Sequence, residues 1–206
     1  MPEEITYEVP TWDELYRMMI DLADKVKENK FKPDLIVGVS RGGWTPARIM
    51  SDLLDNPNLA NVRVQFYEDI YRTSEKPQIT QPVSVPVKGK HVLIVDDVAD
   101  TGKSLKLVKE KLLEDGAVEV RIATIFFKTW SIIQPDFYVK TTDAWVCFSW
   151  EWYESVKKIG QKLRNEGKTL PAIEEFLISI GMQPFIVKKF VREIFTESPP
   201  AKGAHN

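Results

Sequence analysis

Nine consecutive residues, Asp96-Asp97-Val98-Ala99-Asp100-Thr101-Gly102-Lys103-Ser104, bring together three carboxylates, two hydroxyls, an ammonium and a glycine. They lie between the apolar run Val92–Val95 and a stretch with leucine and valine at helical spacing. A glycine-containing turn between a strand and a helix lets backbone N–H groups converge on an anion, and the helix N-terminus adds a favourable partial charge. The Thr101 and Ser104 hydroxyls supply further donors. Gly102-Lys103-Ser104 also matches the tail of a Walker A loop, which needs a glycine five residues before Gly102. Asp97 occupies that position. Two adjacent carboxylates repel a triphosphate unless the ligand brings groups that satisfy them. The vicinal hydroxyls of a ribose do so, and Mg2+ can bridge nearby. The pattern points to a sugar phosphate, not a nucleoside triphosphate.

The flanking sequence supplies the elements that must hold such a loop. Thr11 and Glu14 form a capping box. It opens an amphipathic helix to about Asn29, with Leu15, Met18, Met19, Leu22 and Val26 on one face. Leu35–Val39 reads as a buried strand, Ser40–Gly43 as a loop, and Pro46 lies near the start of a helix reaching Leu54. Val62–Tyr67 is a second strand. Glu68–Gln81 is polar and without clear periodicity; it reads as a mobile loop with room for a short strand near its end. His91–Val95 is a strand leading into the acidic loop. Lys103–Glu114 is a helix with Leu105, Val108 and Leu112 inward, stopped at Gly116. Val118–Phe127 and Asp136–Val139 are strands, and Glu151–Arg164 is a helix. Two short helices follow, marked by Ile173, Phe176, Leu177, Ile180 and by Val187, Phe190, Val191, Ile194. Strands alternating with helices predict an α/β fold with a mainly parallel sheet. Such sheets bind ligands at the carboxyl ends of their strands.

Composition narrows the function classes. The 206 residues are 43% hydrophobic and 28% charged, with a net charge of −2. No global basic field marks nucleic acid as a partner. The single cysteine, Cys147, excludes an intrachain disulfide and a cysteine zinc cluster, and fits a small apolar residue near the core. His91 opens a strand and His205 sits in the tail, so no histidine metal site is expected. The first residues lack a basic start followed by an apolar core. No apolar run approaches the ~20 residues that span a bilayer. A soluble, cytoplasmic protein without a membrane partner is expected.

The segment His91–Ser104, HVLIVDDVADTGKS, resembles the signature loop of type I phosphoribosyltransferases: four apolar residues, two acids, two small or apolar residues, then Asp/Ala-Thr-Gly-Lys/Gly-Ser/Thr. The resemblance covers roughly residues 12–155. It implies the type I phosphoribosyltransferase fold, a mainly parallel central sheet flanked by helices with a small hood, here followed by a C-terminal helical extension. Residues 1–165 are expected to form the phosphoribosyltransferase domain with its hood, 166–197 the extension and 198–206 a disordered tail.

The resemblance also implies roles. Asp96, Asp97, Asp100, Thr101, Gly102, Lys103 and Ser104 correspond to the binding site for phosphoribosyl pyrophosphate (PRPP). In it the two acids take the ribose hydroxyls, and Asp100–Ser104 hold the 5′-phosphate. Arg41-Gly42 matches the pyrophosphate loop, often with an unusual peptide geometry. Glu68–Gln81 matches the loop that closes over the reacting centre, with Arg72 and Lys76 as pyrophosphate contacts; closure excludes water from a ribosyl cation. Phe66-Tyr67 departs from the Ser-Tyr that the 6-oxopurine branch commonly carries there. Lys128, Trp145 and Val146 match base-binding residues. Asp97 and Glu151 match positions near Mg2+ sites, and Asp100 matches a catalytic acid/base near purine N7.

Lysine is a donor only, so Lys128 suits the carbonyl of hypoxanthine, guanine or xanthine better than the amino group of adenine. The expected function is therefore purine salvage. The 5-phosphoribosyl group passes from PRPP to a purine base, a 6-oxopurine in preference, giving the nucleoside monophosphate and pyrophosphate. Cys147 and Phe148 stand where polar residues often follow the aromatic, which leaves open an adenine enzyme derived from a 6-oxopurine type. A non-catalytic PRPP-binding regulator is the other alternative; the helix pair Thr169–Phe195, with Lys188, Lys189 and Arg192, would then read DNA. A homodimer or higher homo-oligomer is expected.

Overall fold

The computed structural model describes residues 5–69 and 72–196, with side chains described outside 67–75. The tail expected at 198–206 lies outside the described residues. In chain order the elements are β1 (Tyr7–Glu8), α1 (Trp12–Glu28), β2 (Leu35–Ser40), α2 (Trp44–Leu53), β3 (Leu59–Asp69), β4 (Arg72–Gln81), β5 (His91–Ala99) and α3 (Lys103–Glu114). They continue with β6 (Glu119–Phe127), β7 (Phe137–Thr141), β8 (Trp145–Val146), α4 (Trp152–Asn165), α5 (Leu170–Ser179) and α6 (Pro184–Phe195). The chain forms two compact units, Asp13–Asp143 and Met1–Trp12 with Ala144–Asn206.

The first unit is built on a six-stranded sheet in the order β4-β3-β2-β5-β6-β7. Every neighbouring pair is parallel except β3 with β4. The central strands are apolar without a break, Leu35–Val39 in β2 and Val92–Val95 in β5, and these residues are buried. Unbroken runs of this kind belong to parallel strands covered on both faces. Alternate side chains then feed two cores. Leu35, Val37, Ile94 and Ile122 pack with Leu105, Val108 and Leu112 of α3. Ile36, Leu93 and Val95 pack with Leu22 and Val26 of α1 and Ala47 and Met50 of α2. Among the described residues, no helix is long and apolar enough to cross a membrane.

Two expectations change. The segment Glu68–Gln81 is not a loop with a short strand. β3 runs to Asp69 and β4 returns antiparallel from Arg72, with Tyr67 opposite Lys76 and Phe66 opposite Pro77. β4 is the sheet's edge strand, where charges and a proline are tolerated because one side of the backbone pairs with nothing. Its polarity therefore hid its conformation. Secondly, Asp96 and Asp97 do not stand in a loop. β5 continues through them to Ala99, because β6 beside it continues too, with Asp96 opposite Thr124 and Ala99 opposite Phe127.

In the second unit β1 pairs in parallel with β8, Tyr7 opposite Trp145 and Glu8 opposite Val146. Helices α4, α5 and α6 bury Trp152, Val156, Ile159, Ile173, Leu177, Val187 and Val191 around a core that includes Cys147. Thr169 caps α5, its hydroxyl accepting the Ala172 N–H at 3.5 Å. Cys147 is a core residue: burial pushes its thiol up to about 11, against the pull of Ser155. A thiol held protonated in this way is not a nucleophile.

Candidate active site

Strand order fixes where the site lies in the first unit. The chain leaves β2 through α2 to reach β3 on one side, and leaves β5 through α3 to reach β6 on the other. Open α/β sheets take ligands in the crevice at the carboxyl ends of their strands where the order changes direction, which here falls between β2 and β5. Arg41 and Gly42 follow β2; Asp96–Ser104 end β5 and open α3.

The two segments touch. A Cβ added to Gly42 would fall 2.0 Å from Asp97 Oδ2 and 2.6 Å from its Cγ. One added to Gly43 would fall 2.5 Å from the Val95 carbonyl oxygen and 2.8 Å from Asp96 Oδ1. Both glycines let the backbone press onto the acid pair, and the Ser40–Arg41 peptide between β2 and these glycines is cis. Asp97 is buried; its Oδ1 accepts the Val98 N–H at 2.8 Å, while Asp96 Oδ1 accepts the Asp97 N–H at 3.0 Å.

Burial, and then the negative charge of Asp97, holds the Asp96 carboxyl well above the usual carboxylate range. Between the ordinary range and that raised value the folded chain binds the proton more tightly than the unfolded chain. Stability is therefore lost as pH rises through this window. Asp96→Asn cannot ionise and keeps an acceptor for Asp97 N–H. It should raise the Tm of the ligand-free protein near neutral pH by about 2–4 °C and flatten its decline with rising pH. Thermal unfolding followed by circular dichroism across the pH range checks this; a variant with the wild-type slope contradicts it.

The residues expected to cradle a phosphate sit at the start of α3. Gly102 has φ +74°, a left-handed conformation, and an added Cβ would meet Ser131 Oγ at 2.4 Å. The N-cap, Gly102, has no side chain to cap α3 and the first turn carries no acid; the Thr101 hydroxyl accepts the Lys103 N–H at a long 3.4 Å. The helix's N-terminal N–H groups and partial positive charge are therefore presented beside Thr101 and Ser104. The segment after β6 braces this turn: Lys128 N–H donates to the Ala99 carbonyl at 3.1 Å and Ile132 N–H to the Thr101 carbonyl at 3.0 Å.

Lys128 is buried at the end of β6, and Asp100 is exposed in the turn. Between them stands Trp130, which carries no sequence motif. Its indole N–H donates to Asp100 Oδ1 at 3.0 Å, and Lys128 Nζ lies 5.4 Å from its ring centroid. The only sequence signal was an aromatic two residues beyond the lysine.

The remaining expected residues lie elsewhere. Trp145 is 42% exposed and Val146 buried in β8, and Glu151 directly precedes α4. These three belong to the second unit, whereas Arg41, Gly42, Asp96–Ser104 and Lys128 belong to the first. Lys76 is exposed on β4. Arg72 opens β4, and its side chain lies outside the described ones.

Comparison with known proteins agrees with this geometry. Residues 9–158 match the phosphoribosyl transferase domain family. The xanthine-guanine phosphoribosyltransferase of Gluconobacter oxydans is 29% identical over 152 residues, covering 73% of this chain and 88% of the relative. The hypoxanthine-guanine phosphoribosyltransferase of Saccharomyces cerevisiae is 33% identical over 116 residues, 48% of this chain and 52% of the relative. The crystal structure of a purine phosphoribosyltransferase from Pyrococcus horikoshii superposes with a TM-score of 0.63 at 43% identity, over 70% of this chain and 93% of that one. The acid pair pressed onto the glycines after β2, and the start of α3, are thus set in a chain that belongs to the phosphoribosyltransferase family.

Proposed function

We propose that this chain transfers the 5-phosphoribosyl group of PRPP to a 6-oxopurine, forming the nucleoside monophosphate and releasing pyrophosphate. The observation that carries it is the packing of Asp96 and Asp97 against Gly42 and Gly43 beside the N-terminus of α3. This supports a reading in which the acid pair accepts the ribose hydroxyls, the exposed Arg41 meets pyrophosphate and the start of α3 takes the 5′-phosphate. Lys128, and the relatives named xanthine-guanine and hypoxanthine-guanine phosphoribosyltransferase, favour a 6-oxopurine.

In the reaction a base nitrogen attacks C1 of the ribose, the bond to pyrophosphate breaks with inversion, and the base gives up one proton. The enzyme supplies no nucleophile; it orients two substrates. Asp96 and Asp97 take the ribose hydroxyls, and Thr101–Ser104 take the 5′-phosphate. Arg41 and the backbone at Gly42 stabilise the leaving pyrophosphate, aided by Arg72 and Lys76 of the β3–β4 hairpin. Asp100 takes the proton of the base. Lys128 donates to its exocyclic oxygen; to Trp145 and Val146 the family resemblance assigns stacking on the ring and reading of its edge.

Mg2+ fits this donor set. Two adjacent carboxyls stand together here, and burial, then the charge of Asp97, raises the Asp96 carboxyl well above the usual range, so a nearby cation relieves their repulsion. No group of three or more His, Cys, Asp or Glu side chains among the described residues is placed to hold a metal. An ion held by one or two carboxylates and completed by substrate oxygens is how Mg2+ commonly binds. Asp97 and, at a second position, Glu151 are the protein groups assigned to it; when bound, the ion neutralises charge on pyrophosphate. The same reading expects a cytoplasmic homodimer or higher homo-oligomer.

Lys128 carries the base preference and is testable alone. Lys128→Met should lower kcat/KM for hypoxanthine by about 10- to 150-fold, the range for losing a charged hydrogen bond, and leave that for adenine nearly unchanged. A wild-type enzyme that prefers adenine contradicts the reading.

A further inference from the structure

Trp130 lies outside the phosphate loop and outside every residue assigned a role above. Its ring is 52% exposed, so burial of apolar surface does not account for its placement. What fixes it is polar. The indole N–H donates to Asp100 Oδ1 at 3.0 Å, across thirty residues of sequence, and the Lys128 ammonium stands 5.4 Å from the ring centroid, within cation–π reach. The backbone on either side is tied down as well. Ser131 N–H donates to the Lys128 carbonyl at 3.1 Å and Ile132 N–H to the Thr101 carbonyl at 3.0 Å.

The chemistry of an indole suits this place. It is a donor only. It can hold one carboxylate oxygen but cannot accept the proton that the carboxylate is to receive. A histidine or a hydroxyl could both orient Asp100 and exchange protons with it. A carboxylate in an exposed turn otherwise rotates freely, and fixing one oxygen aims the other.

We propose that Trp130 is a positioning residue for phosphoribosyl transfer, its indole N–H aiming Asp100 at the base and its ring face holding the Lys128 ammonium. The inference rests on the roles given to Asp100 and Lys128 under the proposed function. Three variants separate its parts. Trp130→Phe keeps a ring beside Lys128 and loses the donor. Trp130→His keeps a ring N–H. Trp130→Leu loses both.

Steady-state kinetics with PRPP and hypoxanthine should give a kcat for Trp130→Phe about 10- to 100-fold below wild type, with KM for PRPP within about twofold. Trp130→His should recover part of that loss, and Trp130→Leu should in addition raise KM for the base. In an Asp100→Asn background Trp130→Phe should cost little more, since an oriented base that is already gone cannot be lost twice. Thermal unfolding should stay within a few degrees of wild type, because the side chain is half in water. An unchanged kcat in Trp130→Phe overturns the proposal while leaving the reaction standing, provided Asp100→Asn is impaired. Losses that multiply in the double variant also overturn it, since they would show Trp130 acting independently of Asp100. A wild-type protein without transfer activity overturns the proposed function, and this inference with it.

Discussion

Replacing Asp100 with asparagine should lower kcat by about 10²- to 10⁴-fold, the usual contribution of a positioned general base, and leave the KM for PRPP within about threefold. The asymmetry follows from what each group touches. Asparagine matches the size of aspartate and keeps an oxygen for the Trp130 indole N–H, which now reaches Asp100 Oδ1 at 3.0 Å. The turn should keep its shape. The amide has no place for the proton of the base. In the proposed reaction the 5′-phosphate is held by other groups: the backbone from Thr101 onward, the hydroxyls of Thr101 and Ser104, and the start of α3. Initial rates at saturating hypoxanthine and varied PRPP check this. Equal losses in kcat and in PRPP affinity would mean that Asp100 belongs to the phosphate cradle and not to proton transfer.

Gly42→Ala should lower kcat/KM for PRPP by at least about 100-fold, a loss that a misplacement of about 1 Å suffices to cause. The added methyl would fall 2.0 Å from Asp97 Oδ2, 2.6 Å from Cγ and 2.8 Å from Oδ1. That carboxylate cannot swing aside cheaply, because it is buried and its Oδ1 accepts the Val98 N–H at 2.8 Å. Either the Arg41-Gly42 turn or the acid must move, and both hold substrate in the proposed reaction. Overpacking of this kind costs about 1–3 kcal/mol in stability, so the protein should still fold. Gly89→Ala is the matching control. Its φ of +77° makes alanine strained there, yet nothing lies within 4 Å of the added Cβ. That variant should lose some Tm and keep its kcat/KM. Activity retained in Gly42→Ala would show that the crevice does not need the close approach.

Local chemistry made much of this legible in the sequence. The helix expected over Lys103–Glu114 is found with those bounds, and Leu105, Val108 and Leu112 are its buried face. Helix α1 begins directly after Thr11, and Leu15, Met19, Leu22 and Val26 are buried along it. In both, a periodic apolar face coincides with clear stop or start signals. The misses have the opposite character. β4 was hidden because an edge strand need not be apolar, and Pro77 breaks the usual strand composition. The extension of β5 through Asp96 and Asp97 depends on the neighbouring strand β6, which no local pattern reveals.

The site divides the same way. Asp96–Ser104 announce themselves by spacing, and Gly42 by resemblance, but the contact of Gly42 with Asp97 joins the loop after β2 to strand β5, far apart in sequence. Trp130 is legible only through its hydrogen bond to a residue thirty positions earlier. Tertiary contacts of this kind carry the geometry of the crevice, and sequence carries its chemistry.

The transfer itself and its base are open to one assay. The most direct test incubates the purified protein with PRPP and Mg2+ and, in turn, hypoxanthine, guanine, xanthine, adenine and uracil. Pyrophosphate release is followed and the nucleotide identified by mass. Pyrophosphate and nucleoside monophosphate should form in equal amounts with one or more of the 6-oxopurines, with near-background release for adenine and uracil. Release with adenine alone, or with no base at all, would contradict the proposed function.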